Sequence, residues 1–172
     1  ILILVTIAIP SFRLLYKQLE IPAYDMTIKA TGYQWYWGYE YADEGNEDVS
    51  FDAIILNDDE RKARADERGV DIAEVPRLLS VDYELVIPVD KTVRVQVTAA
   101  DVIHAFAMPA FGIKVDAVPG RLNETWFNAR ETGIYYGQCS ELCGKDHAFM
   151  PIAIRVVTQE QFDAWIEAAK SD

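Results

Sequence analysis

Short stretches of alternating apolar and polar residues, separated by turn residues, restrict the fold of this chain more than any other sequence feature. Thr92–Thr98 shows the pattern most clearly, because valine occupies every second position. This period of two is typical of a β-strand with one buried face. Further strands are predicted at residues 83–87, 102–108, 112–118, 124–128, 133–137 and 152–157. Many short strands at close spacing indicate an all-β sandwich or barrel.

The segment 28–41 is predicted to form one more strand, which is unusually rich in aromatic residues. Its aromatic side chains alternate and are expected on one side of that strand: Tyr33, Trp35, Trp37, Tyr39 and Tyr41. A place in the core is a strong explanation for Trp37 and a weaker one for Trp35.

The two ends of the chain and one internal segment depart from the strand pattern. Residues 1–19 open with an apolar run that is too short to cross a bilayer, which takes about 20 residues. We expect them to be the end of a transmembrane helix, with a buried helix of a soluble protein as the alternative. Residues 158–172 are predicted to form an amphipathic helix that starts with a capping box. The β domain between them, residues 20–157, contains a charged segment at 58–74, predicted as a short exposed helix or loop insertion.

The formal net charge of the chain is −12 at pH 7. This charge argues against a nucleic-acid partner, because phosphates would be repelled. It favours a basic protein partner attracted by long-range electrostatics. An acidic surface that only maintains solubility explains the charge equally well.

The chain has two cysteines and two histidines, and three of these four residues lie within nine positions. A disulfide between Cys139 and Cys143 would close a very short loop and add little stability. With His147 and Met150 downstream and His104 upstream, they form the thiolate, imidazole and thioether set of a copper site. Two thiolates and two imidazoles also suit a tetrahedral zinc ion. The thioether of Met150 favours copper, since zinc gains nothing from it.

Four motifs together resemble subunit II of a haem-copper cytochrome c oxidase of the aa3 type. They are Gly32–Glu40, Asp101–His104, Pro119–Arg121 and Gln138–Pro151. The resemblance runs from Ile1 to Ile166. It implies a cupredoxin-like Greek-key β-barrel or sandwich, preceded by the end of a transmembrane helix and followed by a C-terminal helix.

The resemblance implies a binuclear copper centre, called CuA. Its implied ligands are two bridging thiolates, two imidazoles, a thioether and a backbone carbonyl: Cys139, Cys143, His104, His147, Met150 and Glu141. His104 and Met150 are implied to complete one copper, and His147 with the Glu141 carbonyl to complete the other.

The resemblance also implies partners for the chain. Cytochrome c is implied to deliver electrons at Trp35 and to dock on four acids, which are Glu40, Asp52, Asp82 and Asp101. Haem in subunit I is implied to receive the electrons for oxygen reduction, while this chain performs no bond chemistry itself. The Glu141 carboxylate is implied to bind magnesium or manganese shared with subunit I, and Arg121 to face that subunit. Other oxidase subunits and membrane lipid complete the expected surroundings.

The copper domain is expected on the oxidising side of a membrane, in the bacterial periplasm or alternatively the mitochondrial intermembrane space. A nitrous oxide reductase domain has the same copper loop but lacks the membrane helix and the aromatic strand. A quinol oxidase subunit II is related in structure but lacks the copper ligands. A zinc-stabilised binding module is the third alternative.

Overall fold

Two five-stranded β-sheets enclose one core in the computed structural model, which describes residues 1–171. The strands are β1 (Met26–Tyr33), β2 (Tyr36–Tyr41), β3 (Ser50–Ala53), β4 (Leu85–Pro88), β5 (Thr92–Ala99), β6 (His104–Met108), β7 (Ile113–Ala117), β8 (Asn123–Asn128), β9 (Gly133–Cys139) and β10 (Pro151–Val157). The helices of the described residues are α1 (Leu2–Leu19), α2 (Asp58–Arg68) and α3 (Gln159–Ala169).

The first sheet has the strand order β3-β2-β1-β5-β8, and the second has the order β4-β10-β9-β6-β7. β1 pairs with β5 in parallel, as β4 does with β10, and the other neighbours are antiparallel. The alternation predicted for β5 is confirmed, since Val93, Val95 and Val97 are all fully buried. Each inward valine removes its apolar surface from water, which is the main energy source for packing the two sheets.

The prediction of a single strand over residues 28–41 is wrong. β1 and β2 are the two arms of a hairpin, with Tyr33 paired to Tyr36 and only Gln34 and Trp35 in the turn. Trp35 lies in the turn and Tyr33 pairs with Tyr36, so neither is on the face shared by Trp37, Tyr39 and Tyr41. The turn is fixed from outside the hairpin, because the backbone N–H of Gln34 donates to the Asp101 carboxylate at 2.7 Å.

α1 is the helix of the described residues that is long and apolar enough, by length and composition, to cross a membrane. Its 18 residues have a mean hydropathy of 1.4, and none of them is buried. At 1.5 Å per residue it is about 27 Å long, close to the thickness of a hydrocarbon core. Since no residue of α1 is buried, the structure gives no support to the alternative of a buried helix.

The charged segment 58–74 contains α2 and a single 3₁₀ turn, Ile72–Glu74. A reciprocal capping box between Asn57 and Glu60 starts α2, and Gly69 ends it at a φ of 66°. The predicted C-terminal helix is confirmed as α3 with its own capping box. Phe162 and Ile166 of α3 are buried in the main core.

Candidate metal centre

Three neighbouring parts of the second sheet bring the predicted ligands together. His104 begins β6, Cys139 ends β9, and the loop from β9 to β10 carries Cys143, His147 and Met150. The pairing of β6 with β9 places the end of β9 beside the start of β6. All of these side chains except His147 are buried, and His104 has no exposed surface.

The sulfur and imidazole atoms form a compact cluster. The two sulfurs, Cys139 Sγ and Cys143 Sγ, lie 3.9 Å apart as free thiols. His104 Nδ1 lies 3.9 Å from the sulfur of Cys139, whereas His147 Nδ1 lies 3.5 Å from that of Cys143. The Met150 Sδ atom is 3.5 Å from the Cys143 sulfur. Each thiol thus has its own imidazole.

Glu141 contributes its backbone to this cluster and leaves its side chain exposed. Its carbonyl oxygen lies 3.4 Å from the Cys139 sulfur. Arg121, which the resemblance implies to face subunit I, is also exposed, in the turn between β7 and β8. The four other donors each lie within 4 Å of one of the two cysteine sulfurs, so the site offers six donor groups, two more than a tetrahedral zinc site requires.

The two thiols need a cation to ionise together. Burial and the neighbouring Cys139 raise the pKa of the Cys143 thiol to about 12. A thiolate pair is therefore stable here only beside a metal ion, whose binding releases the protons. Sulfur and imidazole donors are those that copper prefers, and the weakly donating thioether fits an axial copper ligand.

Asp101 fixes the tautomer of His104. Its Oδ1 atom lies 2.9 Å from His104 Nε2, so that nitrogen carries the proton and Nδ1 is free to bind a metal. Burial acts to raise the pKa of Asp101, but hydrogen bonds from His104 and from the backbone N–H groups of Val102 and Gln34 outweigh it. The pKa of Asp101 is therefore below its usual value, and the carboxylate is ionised at neutral pH.

Gly32 gives the imidazole its space. A Cβ atom at this position would lie 2.9 Å from His104 Cδ2, closer than side chains tolerate. Sequence reasoning missed both Gly32 and the Asp101–His104 contact. For the Asp101–His104 contact, the sequence offered one signal, an acid three residues before a ligand histidine. For Gly32 it offered none.

The two tryptophans of the hairpin have different surroundings. Trp35 is half-buried, and its Nε1–H donates to the backbone carbonyl of Cys143 at 3.3 Å. Lys145 Nζ lies 5.6 Å from the centre of the Trp35 ring. Trp37 is fully buried, as predicted, and its ring meets that of His104 edge-on at 6.1 Å.

The four acids predicted to attract a basic partner do not all have free carboxylates. Glu40 forms a 2.7 Å ion pair with Lys29, and Asp52 is exposed on β3. Asp82 Oδ1 accepts hydrogen bonds from two backbone N–H groups, at 2.7 and 2.8 Å. Asp82 and Asp101 therefore serve the fold or a candidate ligand in addition to any role in surface charge.

Comparison with known proteins agrees with the fold. The family model for "Cytochrome C oxidase subunit II, periplasmic domain" matches residues 26–157. A Rickettsia bellii protein named probable cytochrome c oxidase subunit 2 is 53% identical over 166 residues, which are 96% of this chain and 57% of that protein. Cytochrome c oxidase subunit 2 of Cereibacter sphaeroides is 50% identical over 178 residues, covering 99% of this chain and 58% of that protein.

A solved structure shows the same architecture. The crystal structure of the periplasmic domain of subunit II of the Bradyrhizobium japonicum cytochrome oxidase is 58% identical, with a TM-score of 0.76. The match covers 88% of this chain and 98% of that one. It confirms the predicted all-β, cupredoxin-like fold, which the apolar helix α1 precedes and α3 follows in this chain.

The chain spans little more than half the length of the two curated relatives. The match of the family model extends over the whole β domain, and sequence identity of 50% or more extends over almost the entire chain. The chain belongs to the family of cytochrome c oxidase subunit II, periplasmic domain.

Proposed function

We propose that this chain carries electrons from cytochrome c to the haem of subunit I in cytochrome c oxidase, by means of a binuclear copper centre. The observation that carries this proposal is the pair of buried free thiols 3.9 Å apart, each with the Nδ1 atom of a different histidine nearby. This arrangement suits two ions that share both sulfurs better than one ion that binds all four groups.

The division of the proposed ligands follows the family resemblance. Cys139 and Cys143 would hold both ions, His104 and Met150 would complete one, and His147 with the Glu141 carbonyl would complete the other. When bound, two bridged coppers share one electron, so that a change of charge alters each metal's bond lengths little. Thioether and carbonyl donors bind weakly and tune the potential.

The protein contributes a rigid frame for these donors. The backbone N–H of Cys139 donates to the carbonyl of Met150 at 3.2 Å, and that of Ser140 donates to Ala105 at 3.0 Å. Both ends of the ligand loop are thereby tied to the second sheet. Asp101 holds the His104 ring from the opposite side. A frame of this kind keeps the donors in place when the charge of the centre changes.

On the donor side, we propose that electrons arrive at Trp35, whose indole hydrogen-bonds to the carbonyl of Cys143. Cytochrome c is attracted by the acidic surface that includes Glu40, Asp52, Asp82 and Asp101. The net charge of −12 supports this attraction. The association rate with a basic cytochrome c is therefore expected to fall steeply as ionic strength rises. A rate that does not change between low and moderate salt would contradict this part of the proposal.

On the acceptor side, we propose contact with subunit I around the ligand loop. Ile103, Leu142 and Phe149 are exposed apolar residues next to candidate ligands, as expected of a surface that a protein partner covers. Arg121 faces subunit I in this proposal, and the Glu141 carboxylate binds magnesium or manganese at the same boundary. Further oxidase subunits complete the assembly.

We further propose that residues 1–19 anchor the chain in membrane lipid and that residues 20–157 form the copper domain, with the 158–172 segment docked on it. α1 supports the anchor by its length and composition. The domain then faces the bacterial periplasm, with the mitochondrial intermembrane space as the alternative.

Metal analysis of the purified chain tests the central proposal. We expect two coppers per chain, together with an electron paramagnetic resonance spectrum in which one unpaired electron couples to two copper nuclei. One zinc per chain, or one copper with a mononuclear spectrum, would overturn the binuclear centre.

A further inference from the structure

The turn between β1 and β2 touches both segments that carry the candidate ligands. It consists of Gln34 and Trp35, and the flanking rings of Tyr33 and Tyr36 stack at 4.8 Å with planes 6° apart. We infer that this turn is a clamp on the metal centre, in which Gln34 is a positioning residue that ties the His104 side to the Cys143 side. The inference rests on the proposed function for the identity of the metal.

The first side of the clamp reaches His104 through the Asp101 carboxylate. The backbone N–H of Gln34 donates to Asp101 Oδ2 at 2.7 Å, while Asp101 Oδ1 lies 2.9 Å from His104 Nε2. The N–H of Ala100 also donates to the carbonyl of Gly32 at 3.0 Å. The segment leading to His104 is therefore joined to the hairpin at two points.

The second side of the clamp bonds to Cys143 directly. The side-chain amide of Gln34 donates from Nε2 to the carbonyl oxygen of Cys143 at 2.8 Å. The Trp35 indole donates to the same oxygen at 3.3 Å. One carbonyl of a candidate ligand thus accepts hydrogen bonds from both residues of the turn.

The ligand loop is shaped to lie against this turn. Gly144 has a φ of +131°, a conformation that favours glycine. A Cβ atom there would lie 2.8 Å from Trp35 Cζ2 and 3.2 Å from Gln34 Nε2. The absence of a side chain at Gly144 therefore allows the turn and the loop to make contact.

These contacts give Gln34 a positioning role that its exposed side chain does not suggest. Its side chain bonds to a residue 109 positions further along the chain, and its backbone bonds to a residue 67 positions further along. Outer hydrogen bonds of this kind orient metal ligands, and their loss typically weakens metal binding about 10- to 100-fold. The same clamp holds the Trp35 indole against the carbonyl of Cys143.

Two substitutions in the detergent-solubilised full chain test the clamp. Gln34→Leu removes the donor without adding charge, and Gln34→Glu keeps the shape but presents only acceptors to the carbonyl. Gln138→Leu and Gln138→Glu are the matched controls, because Gln138 is exposed beside Cys139 and has no side-chain hydrogen bond within residues 1–171. Gln138→Glu measures the effect of one added charge near the same centre.

The first measurement needs no metal. Hydrogen exchange of the amides in residues 143–149 of the copper-free chain is expected to be about tenfold faster in both Gln34 variants than in the wild type and the controls. The melting temperature of the domain should stay within about 2 °C, because Gln34 is exposed and the Cys143 carbonyl keeps the Trp35 indole as a donor. Unchanged exchange in both Gln34 variants would overturn the clamp.

The second measurement uses the copper-loaded chain. Copper loss to a chelator is expected to be about tenfold faster in the Gln34 variants, and the midpoint potential should differ from that of the controls. A purely structural role would leave the potential unchanged. Equal loss rates and potentials in all variants would contradict the positioning role. A wild type that binds no copper pair would overturn the proposed function alone, since hydrogen exchange still decides the clamp.

Discussion

Removal of the Tyr41 hydroxyl should destabilise the domain far more than removal of the Tyr39 hydroxyl. The Tyr41 hydroxyl donates to the carbonyl of Val86 at 2.6 Å and accepts from the N–H of Val86 at 3.0 Å. All of these groups are buried, and β4, which contains Val86, is the edge strand of its sheet. Tyr41 therefore connects the first sheet to the unpaired edge of the second.

The expected magnitude follows from these two bonds. Tyr41→Phe leaves one buried donor and one buried acceptor without this partner, each at a cost of about 1–3 kcal/mol. Together they predict a loss of about 2–6 kcal/mol in the free energy of unfolding. The Tyr39 hydroxyl is equally buried but has no hydrogen-bond partner among residues 1–171. Tyr39→Phe should therefore be neutral or stabilising.

Urea unfolding of the copper-free chain, followed by fluorescence, measures both variants. The m-values should match that of the wild type, because neither change alters the surface exposed on unfolding. Burial raises the pKa of both phenols, so both remain neutral across the usable pH range and charge plays no part. Equal free energies of unfolding for the two variants would refute the role of the Tyr41 hydrogen bonds.

Four further substitutions test the metal centre. Cys139→Ser should eliminate the paired-copper spectrum; an unchanged two-copper signal would exclude bridging by Cys139. Met150→Leu should keep both coppers and shift the midpoint potential, since only a weak ligand is lost; a chain that no longer holds copper would make Met150 a primary ligand. Trp35→Phe should leave the copper content unchanged and slow reduction by cytochrome c in stopped-flow experiments; an unaltered rate would exclude Trp35 from the route. Gly32→Ala should weaken copper retention about tenfold, because its Cβ would meet the His104 ring; wild-type retention would show that the ring can shift.

The sequence was sufficient to predict elements whose local pattern agrees with their final surroundings. β5 alternates because one face is buried along its whole length. α3 follows from its capping box and apolar face. The charged pattern of residues 58–74 predicts either a helix or a loop, although Asn57 and Glu60 carry the same capping signal that identifies α3.

The hairpin of β1 and β2 could not be predicted in this way. Its turn has no proline and no Asn-Gly pair, and the aromatic alternation continues through it. The turn is held by hydrogen bonds to Asp101 and to Cys143, which are remote in sequence. Local pattern carries no information about such contacts.

The residues of the candidate centre also differ in how far the sequence predicts them. The donor types of Cys139, Cys143, His147 and Met150 could be predicted from the sequence, because few kinds of metal site combine these groups at close spacing. The approach of His104 to them depends on how β6 pairs with β9, which only the folded sheet reveals. Gly32, which acts by being small, carried no sequence signal for the same reason.

The two parallel pairings have a consequence for how the protein is made. β1 and β5 meet across a gap of 67 residues, as the bond between Asp25 and Thr92 illustrates, and β4 with β10 spans a comparable length. Contacts this remote in sequence close late and slowly, because chain entropy is lost before they are formed. His104 and the cysteine loop come together only when β6 pairs with β9, so a metal ion finds no complete set of donors until the second sheet, with its parallel β4–β10 pair, has formed.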